Sequence, residues 1–236
     1  MAHASDFLLM LIVLLGLATL GASRVTGSIR IVALQGIVLG IVLIVSHAGD
    51  LSIRLLFLAV VNIALKGLLM PWLLLRSMRE ANVQREVQPY IGFMPSLILG
   101  AAAIGVAFGI GNALLLPTTT VSTLVAPVSL ATVFIGLLLM VSRRIAVTQV
   151  VGYLVLENGI FVFSLALAPD LPATVEMGVL LDVFVGVFIM GITIFQINRE
   201  FDHVDSSRLR ELQDTAGRRR RLRVAAPTND ADDEGR

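Results

Sequence analysis

The chain has 236 residues, of which 56% are hydrophobic and 15% are charged, with a formal net charge of +1. A soluble domain is roughly 45–50% apolar with about a quarter of its residues charged, so this composition excludes an ordinary soluble domain and indicates a polytopic membrane protein. The sequence has no cysteine, which excludes disulfides, thiolate metal sites and iron–sulfur ligation by this chain. The histidines, His3, His47 and His203, fall in separate segments near or beyond predicted helix ends, which argues against intramembrane haem or zinc.

Seven apolar runs are long enough to cross a bilayer, for which a helix needs about 17–25 residues. They lie near Ser5–Ala22, Ser28–Ser46, Leu51–Leu75, Ile91–Ile110, Leu124–Val141, Val147–Ala168 and Ala173–Ile197. A cleaved signal peptide is disfavoured for the first run, because Asp6 stands where a basic region would be expected. Pro71 predicts a kink in the third run. The sequence therefore predicts an all-α membrane protein with about seven transmembrane helices.

Basic residues concentrate in alternate connections and in the tail. They are Arg24, Arg30, Arg76, Arg79, Arg85, Arg143, Arg144 and Arg218–Arg221. Because connections rich in lysine and arginine stay on the cytoplasmic side, we expect the amino terminus outside and the carboxyl terminus in the cytoplasm. The predicted location is the inner (cytoplasmic) membrane of a bacterium or archaeon.

The two halves of the chain carry a weak internal repeat, in which SIRIVALQGIVLGIVLIV resembles TQVVGYLVLENGIFVFSLAL. This register sets Gln35 opposite Glu157 and Asn62 opposite Asp182. We predict two parallel three-helix repeats joined by a linker helix. A unit of three helices ends on the opposite side of the membrane from its start, so one extra crossing is needed before a second unit can begin in the same orientation. The predicted segments are 1–80 (helices 1–3), 81–123 (linker helix 4 and an outer loop), 124–198 (helices 5–7) and 199–236. The last segment, charged and then low in apolar residues, is predicted to be a partly disordered cytoplasmic tail.

Two acids interrupt the apolar runs of the second repeat. Glu157 lies near the middle of VVGYLVLENGIFVFSLAL, and Asp182 lies in the following run, within VLLDVFVG. A carboxylate is costly in hydrocarbon and is rarely kept there for packing. Counted from the turn at Pro169–Pro172, the two acids differ by only about 5 Å in depth. We predict that both belong to a proton relay; the alternative for Glu157 is a permanently protonated hydrogen-bond donor between helices.

Four further polar residues are candidates. Lys66, mid-helix in NIALKGLL, is a third relay candidate; alternatively it pairs with an acid of a partner subunit or snorkels toward the membrane surface. Glu176 would extend the path outward or serve as an interfacial residue. Gln35 and Asn62 are neutral and cannot store a proton, so each has either an accessory or a structural role. The chain carries no nucleotide-binding, zinc-protease or nucleophile–base motif, and we predict that by itself it is not an enzyme.

A resemblance to known families follows from these residues. The segment LVLENG, with an acid in the next helix, resembles the three-helix K subunit of respiratory complex I and the C subunit of Mrp-type cation/proton antiporters, over roughly Leu124–Ile197. In the K subunit, the second and third helices each carry a glutamate thought to belong to the proton path. Glu157 matches the first of these, and Asp182 stands where the second would be. The whole chain resembles component E of hydrogenase-4-type complexes in length, helix count, its VLENG motif and its hydrophilic carboxyl end.

The resemblance implies membership of a complex I-related redox assembly that moves H⁺ or Na⁺. The expected partners are antiporter-like and other membrane subunits, lipid and, indirectly, soluble redox subunits, with no nucleic acid. Fe–S, Ni–Fe or other redox centres are expected only in those partners. No cofactor is expected on this chain. Its expected role is that of a non-catalytic membrane subunit of an oxidoreductase complex. One alternative is a structural spacer that holds antiporter-like subunits together without carrying ions. Another is an independent small-molecule transporter, which the lack of a broken-helix pair disfavours.

Overall fold

The fold is known from a computed structural model that describes residues 2–46, 52–80, 90–114, 122–167, 178, 180–189 and 191. Over these residues every regular element is helical and none is a strand. The helices are α1 (Ala2–Gly21), α2 (Val25–Ser46), α3 (Ile53–Asn62), a π-helical segment (Ile63–Leu69), α4 (Met70–Glu80), α5 (Phe93–Ala113), α6 (Val125–Ser142) and α7 (Ala146–Leu167), followed by the short apolar helix α8 (Leu180–Ile189).

Among the residues that the structure describes, six stretches are long and apolar enough to cross a membrane. They are His3–Gly21, Val25–Ser46, Leu55–Arg79, Phe93–Gly111, Val125–Ser142 and Ala146–Ser164. Each overlaps one of the first six predicted runs, so the prediction of an all-helical chain with several helices able to span a membrane is confirmed for the described residues. About half of the seventh run lies outside the described residues, and α8, within the described half, is shorter than a full span. The seventh crossing and the repeat therefore stay predictions, and residues 199–236 lie outside the described part of the chain.

The third span is one uninterrupted helix that changes geometry in its middle. The Ser52 side chain caps its start by accepting a hydrogen bond from the Leu55 N–H, which satisfies one of the free donors of the first turn. Further along, the Met70 N–H donates to the Leu65 carbonyl, five residues back, which is the π-helical pattern. A proline ring collides with the carbonyl four residues before it, and the π segment ends just before Pro71. The third span thus contains π geometry in the turn before Pro71, and the kink predicted for Pro71 stays a prediction.

Helices α6 and α7 pack with their backbones in contact. A Cβ atom added at Gly136 would lie 2.5 Å from the Leu156 backbone nitrogen, and one added at Gly159 would lie 2.7 Å from that of Val133. Helix α1 packs against α2, α5 and α6, whereas α2 packs against the π segment and α7. Helix α2 therefore lies between the π segment and α7, and residues from all three can meet in one buried space.

A buried arginine joins three helix ends. Arg143, after the last residue of α6, is 1% exposed and donates through Nη2 to the Leu20 carbonyl near the end of α1, at 2.5 Å. Its guanidinium carbon lies 4.5 Å from the centre of the Phe93 ring at the start of α5, a cation–π contact. The Tyr90 N–H also donates to the Ser142 carbonyl. These contacts fix one end of the bundle, where α1 and α6 end and α5 begins.

Helices α5 and α8 present apolar side chains to their surroundings. Exposed members are Met94, Ile98 and Val106 on α5, and Phe184 and Phe188 on α8. An exposed apolar surface of this extent is unfavourable in water but is suited to lipid or to the helices of a neighbouring subunit. The described fold therefore fits a membrane environment.

Candidate functional site

The candidate site is centred on the Lys66 ammonium group, in the middle of the π segment. Its Nζ atom lies 2.9 Å from Oε1 of Glu157 on α7 and 4.0 Å from Oδ2 of Asp182 on α8. These three residues are 5%, 4% and 0% exposed, respectively. One cation thus faces two carboxyl groups from two other helices, inside the protein. We call these three residues the ion-pair cluster.

A chain of amide side chains extends from the cluster. Lys66 Nζ donates to Asn158 Oδ1 at 3.2 Å, and Asn158 Nδ2 donates to Gln35 Oε1 at 3.2 Å. Gln35 Nε2 in turn donates to the main-chain carbonyl of Ile12 at 3.0 Å. The chain of hydrogen bonds therefore links the π segment, α7, α2 and α1, and it ends on the backbone of α1.

Several polar atoms around the cluster have unused hydrogen-bonding capacity. Within the described part of the chain, no N–H or O–H group donates a hydrogen bond to either carboxyl oxygen of Glu157 or of Asp182, and both side-chain heteroatoms of Asn62 have no hydrogen-bond partner. Asn62 is fully buried and closes α3, one turn before Lys66. A buried polar group without a partner costs about 1–3 kcal/mol and in native proteins marks a catalytic or redox role, strain, or a place for water or an ion. The cluster therefore has free acceptors for a proton or for ordered water.

Close backbone approach brings Lys66 into this position. A Cβ atom added at Gly36 on α2 would lie 2.7 Å from the Lys66 Cβ, so no larger residue fits opposite the lysine without displacing it. On the other side, the Phe161 ring centre lies 5.8 Å from the Lys66 Nζ. Phe161 follows Glu157 by one turn of α7, so that both reach the same side of the helix. The lysine is thus held by α2 and by two residues of α7.

The π geometry coincides with the site. Lys66 is the central residue of the seven-residue π segment, and π turns are rare in proteins and occur frequently at functional sites. Because a π segment adds a residue to a helical turn, the side chains that follow it are rotated relative to those of an unbroken α-helix. The backbone irregularity and the buried charges thus occur at one place.

An apolar groove reaches Glu157 from the side of the bundle. Its volume is about 380 Å³, and it runs between α7 and a second wall that includes Gly178 and the start of α8. Glu157 is the polar residue of its lining; the others are Ile160, Phe161, Gly178, Leu180, Leu181 and Phe184. Grooves of about 300–1,000 Å³ with apolar walls and few polar groups are typical of small-molecule sites. Asp182 does not line the groove, so the two acids differ in their access from the apolar side.

Four of the six residues singled out in the sequence come together here: Glu157, Asp182, Lys66 and Gln35. Asn62 is also buried and precedes Lys66 by one turn in the sequence, whereas Glu176 lies outside the described residues. Lys66 does not snorkel, since it is buried, and both of its acidic neighbours belong to its own chain. The connecting role of Asn158 was missed; its position directly after Glu157 in the sequence ENG was the available signal.

Comparisons with known proteins give one informative similarity. No protein-family model matches the chain, and no solved structure matches it significantly. A relative from Mycobacterium tuberculosis, named "Uncharacterized protein Rv0085", is 33% identical over 187 residues, which cover 79% of this chain and 85% of that protein.

Proposed function

The chain belongs to the same family as this mycobacterial protein, and we propose that it is a membrane subunit of a complex I-related, hydrogenase-4-like, redox-driven ion pump. Its part in that pump is a proton (or Na⁺) relay built from the ion-pair cluster of Lys66, Glu157 and Asp182. The observation that carries the proposal is the meeting of one buried ammonium group with two carboxyl groups from separate helices.

The energetics of buried charge favour a functional role for this cluster. Removing ions from water costs several kcal/mol for each ion, and replacing a buried ion pair by apolar residues is often neutral or stabilising, so such a pair is a poor device for stability. Ionisable residues within membranes instead mark ion paths and proton relays. With two acids and one cation, the cluster can gain or lose one proton while the Lys66–Glu157 contact stays in place.

The proposed repeat gives the site a simple origin. In this proposal, segments 1–80 and 124–198 are parallel three-helix repeats, and α5 lies in the linker segment 81–123. Helices α2 and α7 are then equivalent, and the hydrogen bond between Gln35 and Asn158 joins them. The first repeat supplies Lys66 and the neutral Gln35, whereas the second supplies both acids. One relay station would thus be assembled from two complementary halves.

The same proposal assigns the surroundings of the chain. The amino terminus faces outward and the carboxyl terminus faces the cytoplasm of a bacterial or archaeal cell. Antiporter-like membrane subunits cover the apolar faces of α5 and α8, and the redox chemistry belongs to cofactors of partner subunits. The chain contributes no catalytic group of its own.

A structural spacer is the second candidate, and the amide chain favours it. Asn158 and Gln35 are neutral, and their hydrogen bonds end on the Ile12 carbonyl. Such a chain ties helices together and does not by itself store a proton. A spacer would need the cluster only for assembly.

The deciding experiment is the Glu157→Gln substitution, with redox turnover and ion pumping measured in membranes that carry the assembled complex. Glutamine keeps the size and removes the charge, so we expect assembly and turnover to continue while pumping falls. Asp6→Asn is the control, since Asp6 accepts a hydrogen bond from Ser122 outside the cluster. Normal pumping by an assembled Glu157→Gln complex would leave the spacer as the function of this chain.

A further inference from the structure

Resting on the proposed function, we infer that the two acids have different tasks: Lys66 and Glu157 form a fixed ion pair, and Asp182 carries the exchangeable proton. In the resting cluster Asp182 is the neutral acid and Glu157 is the carboxylate. The relay thus has a proton carrier and a separate counter-ion pair, contributed by three different helical elements.

The cluster is electrically neutral only if one of its two carboxyl groups holds a proton while the lysine is protonated. With all three groups ionised, one ammonium and two carboxylates leave a net negative charge on a buried site. In the part of the chain that the structure describes, the titratable groups facing Asp182 are Lys66 from the π segment, and Glu157 and Tyr153 from α7. Tyr153 adds no positive charge. Because an uncompensated buried charge is far costlier than a neutral pair, the resting cluster takes up one proton.

The contact distances assign that proton to Asp182. The Lys66 Nζ lies 2.9 Å from Oε1 of Glu157 in a close ion pair. Its distance to Oδ2 of Asp182 is 4.0 Å, and the Coulomb attraction falls as the distance between the charges grows. The ammonium group donates its hydrogen bond to Asn158. The ammonium therefore stabilises the ionised form of Glu157 more than that of Asp182.

The surroundings of Asp182 agree with a neutral acid. Its side chain is fully buried, and no N–H group or hydroxyl of the described residues donates a hydrogen bond to its oxygens. The neighbouring carboxyl is that of Glu157, whose Oε2 atom is also without a hydrogen-bond partner there. A hydroxyl on Asp182 would supply a donor next to this acceptor. Release breaks only the O–H bond of Asp182, passes the proton to water, and leaves the net negative charge that draws the next proton.

Infrared spectroscopy with isotope-labelled carboxyls tests this assignment. The full chain, in its complex and in lipid, would be prepared with ¹³C either in all aspartate side-chain carboxyls or in all glutamate side-chain carboxyls. At neutral pH we expect the C=O band of a buried protonated acid to shift with the aspartate label and not with the glutamate label. Asp182→Asn should abolish the band, which separates Asp182 from the other aspartates. In Lys66→Met, a second band sensitive to the glutamate label should appear, because Glu157 then lacks its cation.

The outcomes are distinct. A band that shifts with the glutamate label in the unmodified protein, or the absence of any protonated-acid band, would overturn the assignment, and neither result depends on a variant that folds. If the band belongs to Asp182 but the assembled Asp182→Asn complex pumps normally, the assignment of the proton to Asp182 is correct and the proposed relay function is wrong. If Asp182→Asn loses both the band and pumping while redox turnover continues, relay and assignment are both supported.

Discussion

The Lys66 ammonium lies 2.9 Å from a Glu157 carboxyl oxygen, although the lysine belongs to the third membrane span and the glutamate to the sixth. Each residue alone would be a costly intrusion into an apolar helix. Together they form a pair whose charges cancel, and the close approach of α2 at Gly36 holds the lysine in place. The pair thus explains how two ionisable residues are tolerated in the bundle, and it leaves Asp182 without a cation of its own.

Removing one member of the pair should cost far more than removing both. Lys66→Met leaves two buried acids without a cation, and breaking a buried pair in this way typically costs about 3–5 kcal/mol. In the double variant Lys66→Met with Glu157→Gln, the uncompensated carboxyl of Glu157 is gone, so we expect part of the lost stability to return. Thermal unfolding of the four proteins of this mutant cycle in one detergent measures the coupling. Strictly additive effects would show that the two groups do not interact.

Gly36→Ala should disturb the cluster without touching a charge. The added methyl group would lie 2.7 Å from the Lys66 Cβ, and overpacking of this kind costs about 1–3 kcal/mol. We expect a lower unfolding temperature and impaired pumping. Gly105→Ala is the matched control, because nothing lies within 4 Å of a Cβ atom at this exposed position of α5. The control should stay within about 0.5 kcal/mol of the unmodified protein; an equal loss in both variants would contradict the close packing at Gly36.

The apolar pattern of the sequence was sufficient to predict the first six spans and the residues worth examining. Hydrophobic run length is a local property, and so is the presence of Glu157, Asp182 or Lys66 inside a run. The pairing of Lys66 with Glu157 depends on how α2, α7 and the π segment pack, which no local pattern specifies. The π segment was not predicted, because Pro71 indicates that the helix is distorted but not where. The sequence does not show that the wider π turns are centred on Lys66.

Breaking the amide chain should lower stability while leaving the protonation pattern of the cluster unchanged. Gln35→Leu removes the donor to the Ile12 carbonyl and the acceptor of Asn158 Nδ2. Each buried polar group left without a partner costs about 1–3 kcal/mol, so the unfolding temperature should fall. Because Gln35 makes no ion pair with the cluster, the infrared band of the protonated aspartate should persist. Its disappearance in a folded Gln35→Leu protein would make the amide chain part of the proton site.

The groove beside Glu157 provides a chemical test of the resting charges. Dicyclohexylcarbodiimide is apolar and reacts with protonated carboxyls: the O–H adds across one C=N bond, the proton goes to nitrogen, and the acyl oxygen binds the central carbon. Because the groove of about 380 Å³ leads to Glu157, the reagent can approach this acid from the apolar side. If Glu157 is ionised against Lys66, we expect no label on it in the unmodified protein and clear labelling in Lys66→Met, as read by peptide mass spectrometry.

Adding Ile160→Trp, at a groove position that is 51% exposed, should block the reaction by filling the groove. Strong labelling of Glu157 in the unmodified protein at neutral pH would show that the glutamate carries the proton.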